Sequence, residues 1–392
     1  MYMSIFRVCV ALCMGVLFLG SGCLGAEWQP QDPKEQLLED VSASYPLART
    51  WLLRNIRDNG LFYYIYTPKT QSYPNKNNAL RQLMGSRVLA ELAAQDATLL
   101  PLHEKNMAFI FSQWYQEEDG LGYVYYDDKS KLGANAMLLR TLVASPHADI
   151  YKEQATHVAD GIVSLLDEQG AFRPWFREPT YTYDTERLLH FYSGEAIVAL
   201  LEYYSATGEG AYLDAAVRAQ DFYYEKYITQ IDEQYYPAYV PWHTISLSHL
   251  YKITGDRRYA EGIFILNDRL LEMMDRTDHV GRFYSSSTPE FGTPHAASDG
   301  VYTEGLAYAY DIARDVQDTA HQEAYEHALV LAVRHLRSLQ YTEEEVAKDV
   351  EPWRRMGAFR YSTTNASIRI DTTQHTMDAY TKILEVMKGD ID

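Results

Sequence analysis

The segment Asn59-Gly60-Leu61-Phe62-Tyr63-Tyr64 joins an Asn-Gly turn to a run of aromatic residues. The same pattern, an acidic or amide residue, then glycine, then aromatic residues, recurs along the chain, more weakly in its last three copies. The other copies begin at Asp119-Gly120, Gln169-Gly170, Gln234-Tyr235, Val280-Gly281 and Met356-Gly357. Six copies separated by roughly 45 to 75 residues indicate an internal repeat rather than isolated turns.

An amphipathic segment lies before each copy, and another follows it. In the segment around residue 160, apolar residues recur three or four apart, as one buried face of a helix requires. The segments before the copies predict helices over 43–58, 102–118, 149–168, 211–229, 258–277 and 320–341. Those after the copies predict helices over 77–95, 132–145, 191–206, 240–254, 301–316 and 372–388. The sequence therefore predicts twelve helices in six pairs.

The connections between pairs are short, and two of them nearly coincide. Tyr204-x-x-Thr207-Gly208-Glu209-x-x-Tyr212 has the same spacing as Tyr251-x-x-Thr254-Gly255-Asp256-x-x-Tyr259. Each glycine suits the left-handed residue that ends a helix, and each acidic residue suits the start of the next. Tight turns at one end and long aromatic loops at the other predict an all-α fold, a closed (α/α)6 toroid of six hairpins in a single domain over 41–392.

The helix pairs resemble those of the six-hairpin (α/α)6-toroid glycosidase-like superfamily, which includes glycoside hydrolases, unsaturated-uronide hydrolases and N-acylglucosamine epimerases. They are also similar to the helical domain of D-glucuronyl epimerases. The most similar segments are Tyr192-Ser193-Gly194-Glu195-Ala196 and the stretch from Ile368 to His375. The resemblance is to an architecture and to no single family. It implies an active site where the long loops lead into the inner helices.

The first residues have the composition of an export signal. Arg7 precedes an apolar run from Val8 to Leu19, which is shorter than the roughly 20 residues that span a bilayer. The run leads through Gly20-Ser21-Gly22 to Cys23, an arrangement that resembles a lipoprotein signal. The sequence therefore predicts a signal over 1–22, lipidation of Cys23, a tether over 23–40 and a location on the outer face of the cell membrane.

Composition narrows the range of functions. The formal net charge of -19 and the absence of a basic cluster argue against nucleic acid as a partner. The 33 tyrosines suit stacking against sugars, although many must serve packing. All three cysteines precede residue 24, so the exported chain has no disulfide, thiolate metal site or cysteine nucleophile.

The inner helices open with polar residues, which a toroid would point into one cavity. Glu195 and Glu304 have small neighbours that would let a ligand approach, and Asp371 and Asp184 are further acids near the loops. Paired carboxylates of this kind are typical of glycosidases. Asp371 could instead cap the helix that follows it. Eight further residues are predicted to bind substrate: Asn78, Arg81, Asn135, Tyr183, Tyr192, Trp242, Tyr302 and Arg369.

Histidines support a rival interpretation. His243 and His375 begin the fourth and sixth inner helices and could move protons in a sugar epimerase or lyase acting on a uronic acid-type sugar. Their spacing matches no zinc motif, so neither a catalytic metal nor a cofactor is predicted. Three hypotheses follow: a glycoside hydrolase, an epimerase or lyase, and a lipoprotein that binds a glycan or protein without catalysis.

Overall fold

The computed structural model describes residues 32–388. The predicted signal, Cys23 and the first half of the predicted tether lie outside these residues. Fourteen α-helices occur in this part of the chain, and none of them is long and apolar enough to cross a membrane. In chain order they are α1 (Pro33–Arg54), α2 (Ala79–Gln95), α3 (Leu100–Gln113), α4 (Leu132–Ala144), α5 (Lys152–Val163), α6 (Thr185–Thr207), α7 (Gly210–Tyr224), α8 (Ile231–Gln234), α9 (Val240–Thr254), α10 (Arg257–Leu271), α11 (Ala296–Asp315), α12 (Thr319–Leu339), α13 (Glu343–Val346) and α14 (Ile370–Lys388).

Six of these helices form a closed inner ring. In order around it, α2, α4, α6, α9, α11 and α14 each contact the next, and α14 returns to contact α2. The outer helices α1, α3, α5, α7, α10 and α12 pack against this ring. The inner helices are buried on nearly all sides and the outer ones on one face, as expected for two concentric layers. The predicted all-α (α/α)6 toroid is confirmed.

The first helix begins ten residues earlier than predicted. Pro33 suits the first turn of a helix, where its missing N–H has no partner to lose. Leu37, Leu38 and Val41 bury one face of the added turns against the core. Residues 33–40 therefore belong to α1 and not to a flexible tether.

The turns at one end of the ring follow the predicted pattern. Gly208 and Gly255 both lie in the left-handed region, with φ of 75° and 71°, and each donates its N–H to the carbonyl four residues earlier. Asp256 then caps α10 by accepting a hydrogen bond of 2.9 Å from the N–H of Arg258. Glu209 begins α7 without a side-chain cap bond.

Short antiparallel strand pairs connect the loops at the other end. β1 (Ile65–Tyr66) pairs with β6 (Ile368–Arg369), β2 (Tyr115–Glu118) with β3 (Leu121–Val124), and β4 (Ser130–Lys131) with β5 (Trp175–Arg177). The first of these pairs links the first loop to the last and so closes the ring at this end.

In four of the inner helices, the fourth residue of the helix forms a hydrogen bond with the backbone of the preceding loop and so fastens that loop to the ring. Gln82 exchanges two hydrogen bonds of 2.9 Å with the backbone of Phe62. Asn135 accepts from the N–H of Val124 at 2.8 Å. Asp299 and Thr373 accept in the same way from Phe283 and Phe359. The fourth residue thus faces the loop and the outer layer, not the centre of the ring.

Candidate functional site

A polar pocket opens between α2 and α4 at the loop end of the ring. Its volume is about 240 Å³. It is lined by Asn77, Asn78, Ala79, Leu80, Val124, Tyr126, Asp127, Lys129, Lys131 and Ala134. Asn78 also caps α2 by accepting a 3.2 Å hydrogen bond from the N–H of Arg81. This residue, predicted to bind substrate, therefore lines a cavity and holds a helix start at once.

Beside this pocket, Asp371 is held between two arginines. Its carboxylate accepts from Arg81 Nε at 2.6 Å and from Arg369 Nε at 2.5 Å. Arg81 also donates to the hydroxyl of Tyr64 at 3.0 Å. Burial alone would raise the pKa of Asp371, but the two guanidiniums outweigh it and hold the pKa well below its usual range. Asp371 is thus ionised and oriented by Arg81 and Arg369 rather than used as a helix cap.

Glu195 has the opposite environment. The residue is 1 % exposed, and its Oε2 has no hydrogen-bond partner among residues 32–388. Burial raises the pKa of Glu195 to about 8, although Arg140, Arg81 and Lys131 act against this rise. Near neutral pH the side chain is therefore mostly a neutral acid that can give up a proton.

Glu304 lies deeper, near the axis of the ring. Glu304, His375 and Asp378 each offer one ligand atom, and these atoms lie within 4.8 Å of one another. Burial and the neighbouring Asp378 raise the pKa of Glu304, so this carboxyl also tends to keep its proton. Glu304 Oε2 and His375 Nδ1 have no hydrogen-bond partner within the described part of the chain.

These three residues form the cluster that best suits a metal ion in residues 32–388. However, Arg87 already binds the Asp378 carboxylate at 2.5 Å, and Arg140 adds a second positive charge nearby. A divalent cation would have to displace or repel these guanidiniums and remove the proton from Glu304. The charge around the cluster therefore disfavours a metal ion.

A buried ionic layer forms the floor beneath the site. It is built from the ninth residue of four inner helices: Arg87, Arg140, Glu304 and Asp378. Glu202 of α6 completes it by accepting two hydrogen bonds of 2.7 and 2.9 Å from Arg140. Because both guanidiniums are buried with these acids, the layer fixes the inner helices at one depth.

The structure separates the two histidines of the epimerase hypothesis. His243 is the fourth residue of α9, and it faces outward to Ser193 at 3.1 Å and Gln220 at 3.3 Å. Burial lowers the pKa of His243 to about 3, so it is a neutral structural residue. These contacts favour a structural role for His243 over its predicted role as a proton carrier. Its neighbour Trp242 faces the centre instead, with its ring 6.0 Å from that of His375.

Several other predicted residues have mainly structural contacts. Asn135 is fully buried and fastens a loop, and Asp184 is exposed and caps α6 through the N–H of Arg187. Tyr183 packs edge-on against Trp175 at 5.2 Å, and Tyr302 does so against Phe283 at 5.5 Å. These contacts correct the predicted roles of Asn135 in substrate binding and of Asp184 in catalysis.

Two further residues of this region, Asp378 and His295, are not indicated by any pattern in the sequence. Asp378 sits at the ninth position of α14, where its partner Arg87 is almost three hundred residues away in the chain. His295 precedes α11 and caps it by accepting a 3.0 Å bond from the N–H of Ser298 at Nδ1. Burial and Arg369 lower the pKa of His295, with Asp371 acting against them. The helix was predicted to begin at 301, so no signal marked His295 as its cap.

Comparisons with known proteins agree with this architecture. Residues 153–334 match the family model of the GH127 catalytic domain of β-L-arabinofuranosidases. No curated protein sequence matches the chain.

Among solved structures, the chain is similar to D-mannose isomerase, with 14 % identity, a TM-score of 0.67, and coverage of 91 % of this chain and 99 % of that one. A GH76 α-mannanase from Bacteroides thetaiotaomicron shares 12 % identity, with a TM-score of 0.63 and coverage of 92 % and 99 %. Cellobiose 2-epimerase from Bacillus thermoamylovorans shares 12 %, with a TM-score of 0.61 and coverage of 89 % and 98 %. The protein thus has the (α/α)6-toroid fold of the six-hairpin glycosidase-like superfamily.

Proposed function

We propose that this protein is a carbohydrate-active enzyme, a glycoside hydrolase that cleaves a glycan with Glu195 and Asp371. The observation that carries the proposal is the opposite surroundings of these two carboxyl groups, one buried without a partner among residues 32–388 and the other paired with two arginines. Burial keeps a proton on Glu195, whereas Arg81 and Arg369 keep Asp371 ionised. Two acids whose surroundings drive their pKa values apart are the usual arrangement for acid catalysis of glycoside cleavage.

In this mechanism Glu195 gives its proton to the glycosidic oxygen as the bond to the anomeric carbon breaks. The Asp371 carboxylate, held in place by Arg81 and Arg369, orients the attacking water toward the anomeric carbon. A water molecule then supplies a hydroxyl group to the anomeric carbon, and its second proton passes to one of the carboxylates. Because Glu195 is 1 % exposed, binding of the sugar must move a neighbouring side chain such as Tyr192.

The test is NMR of residues 24–392 incubated in heavy water with neutral and acidic glycans, arabinofuranosides and mannans included. New reducing-end signals are expected with the wild type and not with Glu195→Gln. Glu209→Gln is the matched control, because Glu209 is exposed at the opposite end of the ring and makes no side-chain cap bond. Cleavage that survives in Glu195→Gln would overturn the assignment of the acid.

A sugar epimerase is the second candidate, and one observation favours it. His375 Nδ1 has no hydrogen-bond partner in the described part of the chain and lies near the carboxyl of Glu304, with the ring of Trp242 beside it. Burial lowers the pKa of His375 to about 4, so a neutral imidazole is available as a base. Deuterium that enters a ring C–H without cleavage, and no longer does so in His375→Asn, would establish this activity in place of hydrolysis.

A non-catalytic binder is the least favoured of the three hypotheses. It predicted that the acids would all be occupied as caps or ion pairs. Asp184 and Asp371 are occupied in this way, but Glu195 and Glu304 each keep a buried oxygen without a partner among residues 32–388. Such free buried oxygens are costly unless they serve a purpose. Binding of a glycan without turnover in the NMR experiment would restore this hypothesis.

We also propose that the protein is exported and anchored to the outer face of the membrane through lipid on Cys23. The support is the apolar run before Gly20-Ser21-Gly22-Cys23. Metabolic labelling with a fatty acid should mark the wild type and not Cys23→Ser. A protein that is exported without the label would overturn the anchor and leave the signal.

A further inference from the structure

The pocket between α2 and α4 carries more positive than negative charge. Arg81 and Arg369 share one carboxylate, that of Asp371, so one positive charge is left over. Lys129 is matched by Asp127. Glu195 does not restore the balance, because its burial keeps it mostly neutral.

Lys131 adds a second unmatched charge. Its ammonium group forms no ion pair or hydrogen bond with any residue in 32–388, and it lies 5.9 Å from the centre of the Trp175 ring. Burial and the nearby cations Lys129 and Arg81 lower the pKa of Lys131, with Asp127 and Glu195 acting against them. The charged residues of the lining are thus the Lys129–Asp127 pair and the unmatched Lys131, and this surplus of one positive charge stands out in a chain of net charge -19.

The pocket also has the shape and the hydrogen-bonding groups for a ligand. Its volume of about 240 Å³ equals roughly eight water molecules of about 30 Å³ each. Asn77 and Asn78 supply amide groups on one wall, and Tyr126 supplies an aromatic ring on the other. A buried oxygen of Glu195 without a partner lies in the same region, within electrostatic reach of Lys131.

We propose that this pocket binds the carboxylate of an acidic sugar, with Lys131 as its counter-charge, so that the substrate is a glycan containing uronic acid. The inference rests on the proposed hydrolase and names its substrate class. A bound carboxylate would neutralise Lys131, one of the charges that favour ionisation of Glu195. The substrate would therefore help Glu195 keep the proton that cleavage consumes.

The experiment compares a uronic acid oligosaccharide with its methyl ester, which has the same ring but no charge. The wild type should have a lower KM for the acid than for the ester. Lys131→Met should raise the KM for the acid roughly 10- to 100-fold and leave the KM for the ester unchanged. Lys131→Arg should restore part of the preference. Lys388→Met is the control, because Lys388 is exposed at the end of α14, far from the loops.

The outcomes separate this inference from the proposed function. Equal use of acid and ester by the wild type would overturn the uronate site and leave the hydrolase. Uronate that binds in a Lys131-dependent manner without cleavage would keep the site and overturn the hydrolase. If uronate neither binds nor reacts, the site is overturned as well. The wild-type comparison needs no variant, so a Lys131→Met protein that failed to fold would not obscure the answer.

Discussion

The carboxylate of Glu195 lies against the backbone of Gly133, so closely that a β-carbon at residue 133 would sit 2.4 Å from Glu195 Oε2. The same β-carbon would meet the ring of Tyr192 at 2.5 Å. The missing side chain on α4 thus makes the space that the acid on α6 occupies.

Gly133→Ala should therefore impair catalysis without unfolding the ring. The added methyl group must push the Glu195 carboxyl or the Tyr192 ring aside, and small displacements of a catalytic group cost about 100-fold in rate. The measurement is kcat/KM together with the melting temperature. Gly210→Ala is the control, because a β-carbon there meets nothing within 4 Å. Unchanged kcat/KM in a folded Gly133→Ala protein would contradict the role of Glu195.

The contribution of Glu195 to the stability of the protein should fall as pH rises from about 4.5 to about 8. In this window Glu195 keeps its proton in the folded state, whereas the unfolded chain, with a pKa near 4.5, has lost it. The folded state therefore binds more protons, and each such group lowers the free energy of unfolding by about 1.4 kcal/mol per pH unit.

Glu195→Gln should remove that part of the slope, because glutamine carries no ionisable proton. The check is denaturant unfolding of both proteins at pH 5, 6, 7 and 8. Identical slopes for the two proteins would show that Glu195 ionises normally and would remove it as the acid.

Arg369→Met should move the acidic limb of the pH–rate profile to higher pH. Losing one guanidinium removes a charge that holds the pKa of Asp371 low, so the carboxylate would protonate at a higher pH. The measurement is kcat/KM between pH 3 and 7. Arg334→Met, which changes an exposed arginine on α12, should leave the limb in place. A limb that stays fixed in Arg369→Met would exclude Asp371 as the ionised partner.

His243→Ala should lower stability and leave catalysis intact. The change removes the hydrogen bonds of the buried imidazole to Ser193 and Gln220, at a cost of about 1–3 kcal/mol. The measurements are the free energy of unfolding and kcat of the folded protein. A large loss of kcat with little loss of stability would return His243 to the catalytic site.

The ring of helices could be predicted because each copy of its repeat is recognisable from residues that are adjacent in the sequence. The Gly-aromatic loops and the Thr-Gly turns at Gly208 and Gly255 depend on neighbouring residues, and both mark helix ends regardless of the rest of the chain. The start of α1 was missed because Pro33 lies in a polar stretch whose first buried residues come only four positions later.

The orientation of the inner helices could not be predicted in the same way. These helices are buried on nearly every side, so their apolar pattern does not mark one face. Neighbouring residues point about 100° apart. His243 and Trp242 are adjacent in sequence, yet one faces the outer layer and the other the centre. The ion pairs of the ionic layer, such as Arg87 with Asp378, form only when the ring closes. The residues next to either partner in the sequence therefore give no indication of the pairing.

Because one residue near the start of each of four inner helices anchors the preceding loop, each of these loops can be treated as a separate unit. Gln82, Asn135, Asp299 and Thr373 each hold one loop by accepting a hydrogen bond from a backbone N–H of that loop, a group that every residue except proline carries. A loop from a different toroid could therefore be grafted between the same anchor points while the scaffold stays intact. The architecture thus lends itself to changing specificity one segment at a time.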